Sequence, residues 1–283
     1  MKEYKLTDWL PTTKKEAELR GWNELDVIIF SGDAYVDHPS FGAAVIGRML
    51  EAKGLKVAII PQPNWRDDLR DFKKLGRPRL FFGVSAGCMD SMVNKYTANK
   101  RLRSEDAYTP DGRHDMRPEY PSIVYTQILK KIYPDVPVIL GGIEASLRRV
   151  THYDYWQDCL RKSILIDSGA DLLIYGMGEK PITELCKRMK ESKDSQDGAH
   201  LPLQKDIPHD IPQTAYLIRK KGSVPSEHSA IECVNEKPDI ILHSHEACLK
   251  DKKKQAENFR FIEEERQTNT NASRTCKNTG NET

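Results

Sequence analysis

Three short stretches of this sequence bring acid, base and thiol side chains together with the glycines and serines that shape ligand-binding turns. The first, Ser31-Gly32-Asp33-Ala34-Tyr35-Val36-Asp37-His38-Pro39-Ser40-Phe41-Gly42, holds two carboxylates and an imidazole. Asp33, Asp37 and His38 can hold a divalent metal, touch a cofactor or move a proton. The same residue types also serve turns and helix caps. The second begins at Gly141-Gly142, where paired glycines let a backbone approach a ligand and turn its amides toward an anion. A tight strand-to-helix turn needs the same pair. Just beyond, Glu144 can act as acid or base and Arg148 or Arg149 can hold an anion, whereas Tyr153, Tyr155 and Trp156 read as packing. The third, Ser85-Ala86-Gly87-Cys88-Met89-Asp90, carries a thiol that needs a neighbouring base before it can act as a nucleophile. Cys88 therefore reads as a structural thiol. Ser85 and Ser91 lack a nucleophile-elbow pattern. Neither Gly141-Gly142 nor Gly176-Met177-Gly178-Glu179 fits a dinucleotide or P-loop glycine pattern. The candidate ligand contacts are thus Gly32, Asp33, His38, Gly141, Gly142 and Glu144, with no catalytic residue and no metal ligand set assigned.

The elements that must position these residues alternate regularly. Leu25–Phe30 is a continuous apolar run, as expected of a strand covered on both faces. Ser40 is placed to cap a helix over Phe41–Lys53 that Gly54 ends, and Lys56–Ile60 is the next strand, stopped by Pro61. This is a βαβ unit. Strands follow at Leu80–Ser85, Val136–Leu140 and Asp171–Tyr175, and helices at Tyr120–Ile132, Asp158–Ser168 and Glu179–Lys190. Ala86–Pro118 is a long polar connection of the kind that carries function. Glu191–Pro212 reads as a linker or surface loop, Thr214–Arg219 as a strand that Lys220-Lys221-Gly222 could turn into a hairpin, and Ile240–Leu242 as a short strand. Glu246–Glu265 reads as one charged helix. The predicted class is α/β: a Rossmann-like, mostly parallel, doubly wound sheet. Ligands on such sheets bind beyond the carboxyl ends of the strands. All three stretches fall there.

The chain has 283 residues and a formal net charge of +2, which gives no electrostatic reason to expect nucleic acid as a partner. No apolar run reaches a membrane span and the start is not a secretory signal, so a cytoplasmic location is expected. The six cysteines, Cys88, Cys159, Cys186, Cys233, Cys248 and Cys276, form neither Cys-x-x-Cys nor Cys-x-x-x-Cys-x-x-Cys. In a reducing compartment they are free thiols. Gln267–Thr283 has too little apolar content to pack and is expected to be disordered.

Taken together and in order, the Ser31–Gly42 stretch, Ser85-Ala86-Gly87-Cys88-Met89-Asp90-Ser91-Met92-Val93-Asn94, Gly141-Gly142-Ile143-Glu144-Ala145-Ser146-Leu147-Arg148-Arg149 and His152-Tyr153-Asp154-Tyr155-Trp156 resemble the amino-terminal region of YgiQ-type radical S-adenosylmethionine (SAM) proteins. The resemblance runs from about Pro11 to Glu265. It implies a cobalamin-binding-type Rossmann-like domain over residues 1–245, in which Gly141-Gly142 and Gly176–Glu179 line the ligand crevice. It implies a charged linker helix over 246–266 leading toward a radical SAM barrel in cis, then the 267–283 tail. The barrel would carry a [4Fe-4S] cluster on three cysteines and bind SAM, both sited outside this chain. The absent cysteine motif makes a truncated or frameshifted, catalytically silent product the expectation. His38 invites comparison with a cobalamin-ligating histidine, but its spacing to Gly42 departs from Asp-x-His-x-x-Gly. Two rival expectations remain: a free-standing metal-assisted or acid/base enzyme built on Asp33, Asp37, His38 and Glu144, and a non-catalytic nucleotide- or cobalamin-binding module.

Overall fold

The computed structural model describes residues 5–194, 207–218, 240–268 and 276–278. Helix α1 (Lys14–Leu19) opens on a capping box in which the Thr13 hydroxyl and the Glu16 carboxylate satisfy each other's end of the helix. Then come β1 (Val27–Ser31), α2 (Gly42–Ala52), β2 (Val57–Pro61), the short α3 (Arg70–Lys73), β3 (Phe81–Ser85), α4 (Ser91–Lys95) and α5 (Pro121–Ile132). The chain continues through β4 (Val138–Gly141), α6 (Gly142–Leu147), a hairpin of β5 (His152–Asp154) and β6 (Cys159–Arg161), α7 (Ile164–Ser168), β7 (Leu172–Ile174) and α8 (Glu179–Asp194). Beyond lie β8 (Thr214–Ala215), β9 (Ile240–Leu242), α9 (His245–Lys250), α10 (Lys252–Thr268) and β10 (Cys276–Asn278), the last parallel to β9.

The central sheet has the order β2-β1-β3-β4-β7-β8. Its first five strands are parallel, and β8 joins β7 antiparallel at the edge. The expected α/β class and mostly parallel sheet are present. Alternate residues of each strand feed two separate cores. Ile28, Phe30, Phe82, Val84, Val138 and Leu140 pack with Phe72 of α3, Tyr125 and Leu129 of α5 and Ile164 and Leu165 of α7. Val27, Ile29, Phe81, Ile139 and Ile174 face Leu50 of α2 and Ile182, Leu185 and Met189 of α8. Each large apolar side chain so buried contributes about 1.5–3 kcal/mol, which is why these strands read as unbroken apolar runs. The order reverses between β1 and β3, the point at which doubly wound sheets open a crevice.

Several local expectations need correction. Ser40 does not cap α2: the N-cap is Phe41, which makes no side-chain bond to the helix. The helix expected over Asp158–Ser168 is a hairpin followed by a short helix. Asp154 takes the Trp156 and Gln157 amides onto its carboxylate, Asp158 adopts a left-handed backbone, and Ser163 starts α7 by accepting from the Leu165 amide. The single helix over Glu246–Glu265 is two, because Asp251 ends α9 and its carboxylate accepts the Lys253 amide at the start of α10. Part of the stretch read as the linker Glu191–Pro212 is core, with Ile207 and Ile211 buried. The Lys220–Gly222 turn lies outside the described residues.

Candidate functional site

At the carboxyl rim a slot of about 370 Å³ runs down the sheet between α2 and α8. Its floor is Ile29 of β1, Gly83 of β3, Ile139 of β4 and Ile174 of β7, and its helical walls are Val45, Ile46 and Ile182. The volume falls within the usual range of about 300–1,000 Å³ for small-molecule sites. The slot exists because of what the sequence omits. Gly83 sits mid-way along a central strand yet is not buried, since no side chain fills the space above it. A Cβ there would meet only Ile29 Cγ1 at 3.6 Å, an ordinary contact. Gly42, Gly141, Gly142, Gly176 and Gly178 surround the mouth with bare backbone, and Ile143 and Met177 lie exposed beside it.

The two glycines after β4 differ. Gly141 is extended, so any residue would fit its backbone. Gly142 has φ +85°, and a Cβ on it would come within 2.6 Å of Ser85 Oγ, so this position demands glycine. Gly32 also lies at the rim: its amide donates to Ser85 O at 3.0 Å, and its Cα side faces the Ala86 carbonyl too closely for a side chain.

The acidic candidates lie in a buried network beside the slot. Arg117, 1% exposed, donates to Asp33 Oδ1 and to Asp106 Oδ2, each at 2.8 Å, and to Ala86 O at 3.1 Å. Asp33 also accepts the Cys88 amide at 2.6 Å. Glu144, wholly buried, accepts the Ser91 hydroxyl, the Ser91 amide at 3.2 Å and the Ser122 amide at 3.2 Å, with Arg148 Nη1 at 4.0 Å. Burial pushes its carboxyl up, and Arg148 and the serine donors only partly oppose this. Asp90 pairs with Arg148 and caps α4 through the Met92 and Val93 amides. These groups tie the loops after β1, β3 and β4 to one another.

Asp37 is paired with Arg48, and the exposed His38 accepts the Ser40 amide on Nδ1 at 3.1 Å. The structure therefore gathers the Ser31–Gly42 and Gly141–Ser146 stretches on one rim. It does not converge Asp33, Asp37, His38 and Glu144, each of which is engaged with different partners. Among the described residues no three His, Cys, Asp or Glu side chains lie close enough to hold a metal ion. Cys88 lines the slot, donates through Sγ to Ser40 O at 3.4 Å, and has its thiol pushed up to about 11 by burial and by Asp33. The sequence reading missed Gly83 and Arg117. A lone glycine inside the apolar run Phe81-Phe82-Gly83-Val84 is the recognised sign of a close approach. Nothing in the sequence marks Arg117 apart from its neighbours.

The Radical SAM N-terminal family profile matches residues 9–283. The chain belongs to that family. It is 75% identical over 266 residues to a UPF0313 protein of Bacteroides thetaiotaomicron, covering 94% of this chain and 41% of that relative. A UPF0313 protein of Porphyromonas gingivalis is 67% identical over 262 residues, 93% of this chain and 38% of its own. One from Geobacter sulfurreducens is 48% identical over 257 residues, 91% and 39% respectively. The chain thus spans about two fifths of the length of these curated relatives. The YgiQ-type resemblance drawn from the sequence holds. No solved structure matches. For radical SAM proteins as a family, a [4Fe-4S] cluster and SAM are implied. The residues described here do not fit a cluster: of Cys88, Cys159, Cys186 and Cys248, two are buried, one is exposed and one lines the slot, and no three acid, imidazole or thiol groups come together. Among the described residues no helix is long and apolar enough to cross a membrane.

Proposed function

We propose that this chain is the ligand-binding accessory domain of a YgiQ-type radical SAM protein, silent in catalysis by itself, and that its slot presents a small molecule to a barrel carrying the [4Fe-4S] cluster and SAM. In this reading residues 1–245 form the binding domain, 246–266 lead toward the barrel, 267–283 follow as a tail whose strand β10 pairs with β9, and the protein works in the cytoplasm. The observation that carries it is the uncollapsed slot of about 370 Å³ at the switch point of the sheet, ringed by glycines. Gly141 and Gly142 shape the mouth, Gly32 packs the rim against Ala86 beside it, and Asp33 and Glu144 hold the rim loops in place. The candidates for the bound molecule are a nucleotide or cobalamin. His38 does not line the slot, so cobalamin would have to be held without a histidine from that loop.

Two measurements test this. Titration with hydroxocobalamin and with adenine nucleotides, followed by calorimetry, is expected to give saturable binding of one of them. Anaerobic reconstitution with iron and sulfide is expected to leave no stable visible chromophore. A chromophore that persists through desalting and disappears on replacing native cysteines would overturn catalytic silence.

A further inference from the structure

We infer that the seam at Thr151, where the pair α9 and α10 meets the β5–β6 hairpin, opens in acid: protonating His152 and His245 frees the two helices from the hairpin. The inference stands apart from the slot and does not depend on what the slot binds.

Thr151 is buried and serves both sides of the seam. Its carbonyl accepts the Gln255 amide group of α10 at 3.3 Å, and its hydroxyl lies 3.4 Å from Nδ1 of His245, the first residue of α9. α9 itself packs on β6. His152 is next to Thr151 in the chain. Its Nδ1 lies 3.1 Å from the Val150 carbonyl, which can only accept, so Nδ1 carries the proton of the neutral ring. Nε2 is then a bare lone pair, shut from solvent and without a hydrogen-bond partner among the described residues. Protonation would put an N–H and a charge there with no acceptor to receive them. At His245, protonation turns Nδ1 into a donor, so the Thr151 hydroxyl can no longer donate to it.

The charges around each ring do not offset this. Facing His152 are Arg148 at the end of α6, Arg161 of β6, Asp154 of its own strand and Asp167 of α7. Asp154 already accepts the Tyr120 hydroxyl, and Asp167 pairs with Arg161 at 2.7 Å. Facing His245 are Lys162, Glu246 and Asp167. Burial holds both imidazoles below the ordinary 6.5; Arg148 and Arg161 add to this at His152, and Lys162 adds to it at His245. Asp154 opposes it at the first ring, Glu246 and Asp167 at the second. Each ring therefore binds a proton less well in the closed seam than in the open one. Its contribution to closure is complete above 6.5 and is lost as pH falls from that value through the lowered one.

The test uses the whole chain. NMR of the imidazole protons follows the titration of each ring. Amide hydrogen exchange at about pH 7.5 and about pH 5.5, corrected for the intrinsic rate, compares α9 and α10 with α5, which lies in the core. Both rings are expected to titrate below 6.5. In acid α9 and α10 are expected to lose protection that α5 keeps. The double variant His152→Phe with His245→Gln is expected to hold the two helices equally well at both pH values. Should that variant fail to fold, the native titration and exchange decide alone. Either ring titrating at or above 6.5, no acid loss from α9 and α10, an equal loss from α5, or the same loss in the folded variant would overturn the inference.

Discussion

On one side of the carboxyl rim, between β1, β3 and α5, polar side chains are buried and partnered: Arg117 with Asp33 and Asp106, Glu144 with Ser91 and Ser122, Asp90 with Arg148. On the other, between α2 and α8, the same strands present isoleucines and a glycine to an open slot. The residues that look chemical hold the frame, whereas the space for a ligand comes from residues that look like nothing. A buried charge is expensive unless every partner is present, so it is most useful where loops must stay fixed. A binding cavity needs the opposite, positions where nothing competes with the guest.

This contrast can be broken or sharpened by measurement. The largest effect is expected from Arg117→Met, which leaves Asp33 and Asp106 buried without their cation. Urea unfolding should show a loss of about 3–5 kcal/mol, and a loss below about 1 kcal/mol would mean that the network is not holding the loops. Next, Cys88 should alkylate slowly. With its thiol near 11 rather than the ordinary 9.0, it carries roughly a hundredfold less thiolate at pH 8. Peptide mass spectrometry after timed iodoacetamide treatment should find the exposed Cys159 modified before Cys88.

Glu144→Gln keeps the shape but turns one amide hydrogen pair toward a Ser91 or Ser122 donor, for an expected loss of about 1–3 kcal/mol. It should also change the pH profile. A carboxyl held above its ordinary value of 4.5 in the folded chain binds its proton more tightly there than when unfolded. Its contribution is therefore greatest below 4.5 and falls as pH rises from that value through the raised one. The difference in stability between native chain and variant should follow that slope, and a flat difference would count against a raised Glu144. The smallest effect is expected at Asp37→Ala. The Asp37–Arg48 pair is partly exposed, with side chains 24% and 28% accessible, so solvent screening limits the loss to about 1 kcal/mol or less. A larger loss would place Asp37 in the frame rather than on the surface.

Much of the fold was legible because parallel strands buried on both faces announce themselves, as Val27–Ser31 and Val57–Pro61 do. Thr13 and Glu16 at capping-box spacing would also have revealed α1. The hairpin β5–β6 was hidden, because its turn depends on Asp154 taking two amides, a choice that competes locally with helix. At the site, the rim position of Gly32, Gly141 and Gly142 followed from strand ends alone. The role of Asp33 and Glu144 did not, since whether a carboxylate faces a ligand or an arginine depends on contacts such as Asp33 with Arg117, 84 residues apart.

The pair α9 and α10 touches the segment that follows α6. The His245 ring lies 3.4 Å from the Thr151 hydroxyl, and Gln255 donates to the Thr151 carbonyl at 3.3 Å. Thr151 lies three positions past Arg148, the residue that grips Asp90 and faces Glu144. The last two helices are thereby fastened, through the short stretch Arg148–Thr151, to the same segment that carries a buried ion pair of the rim.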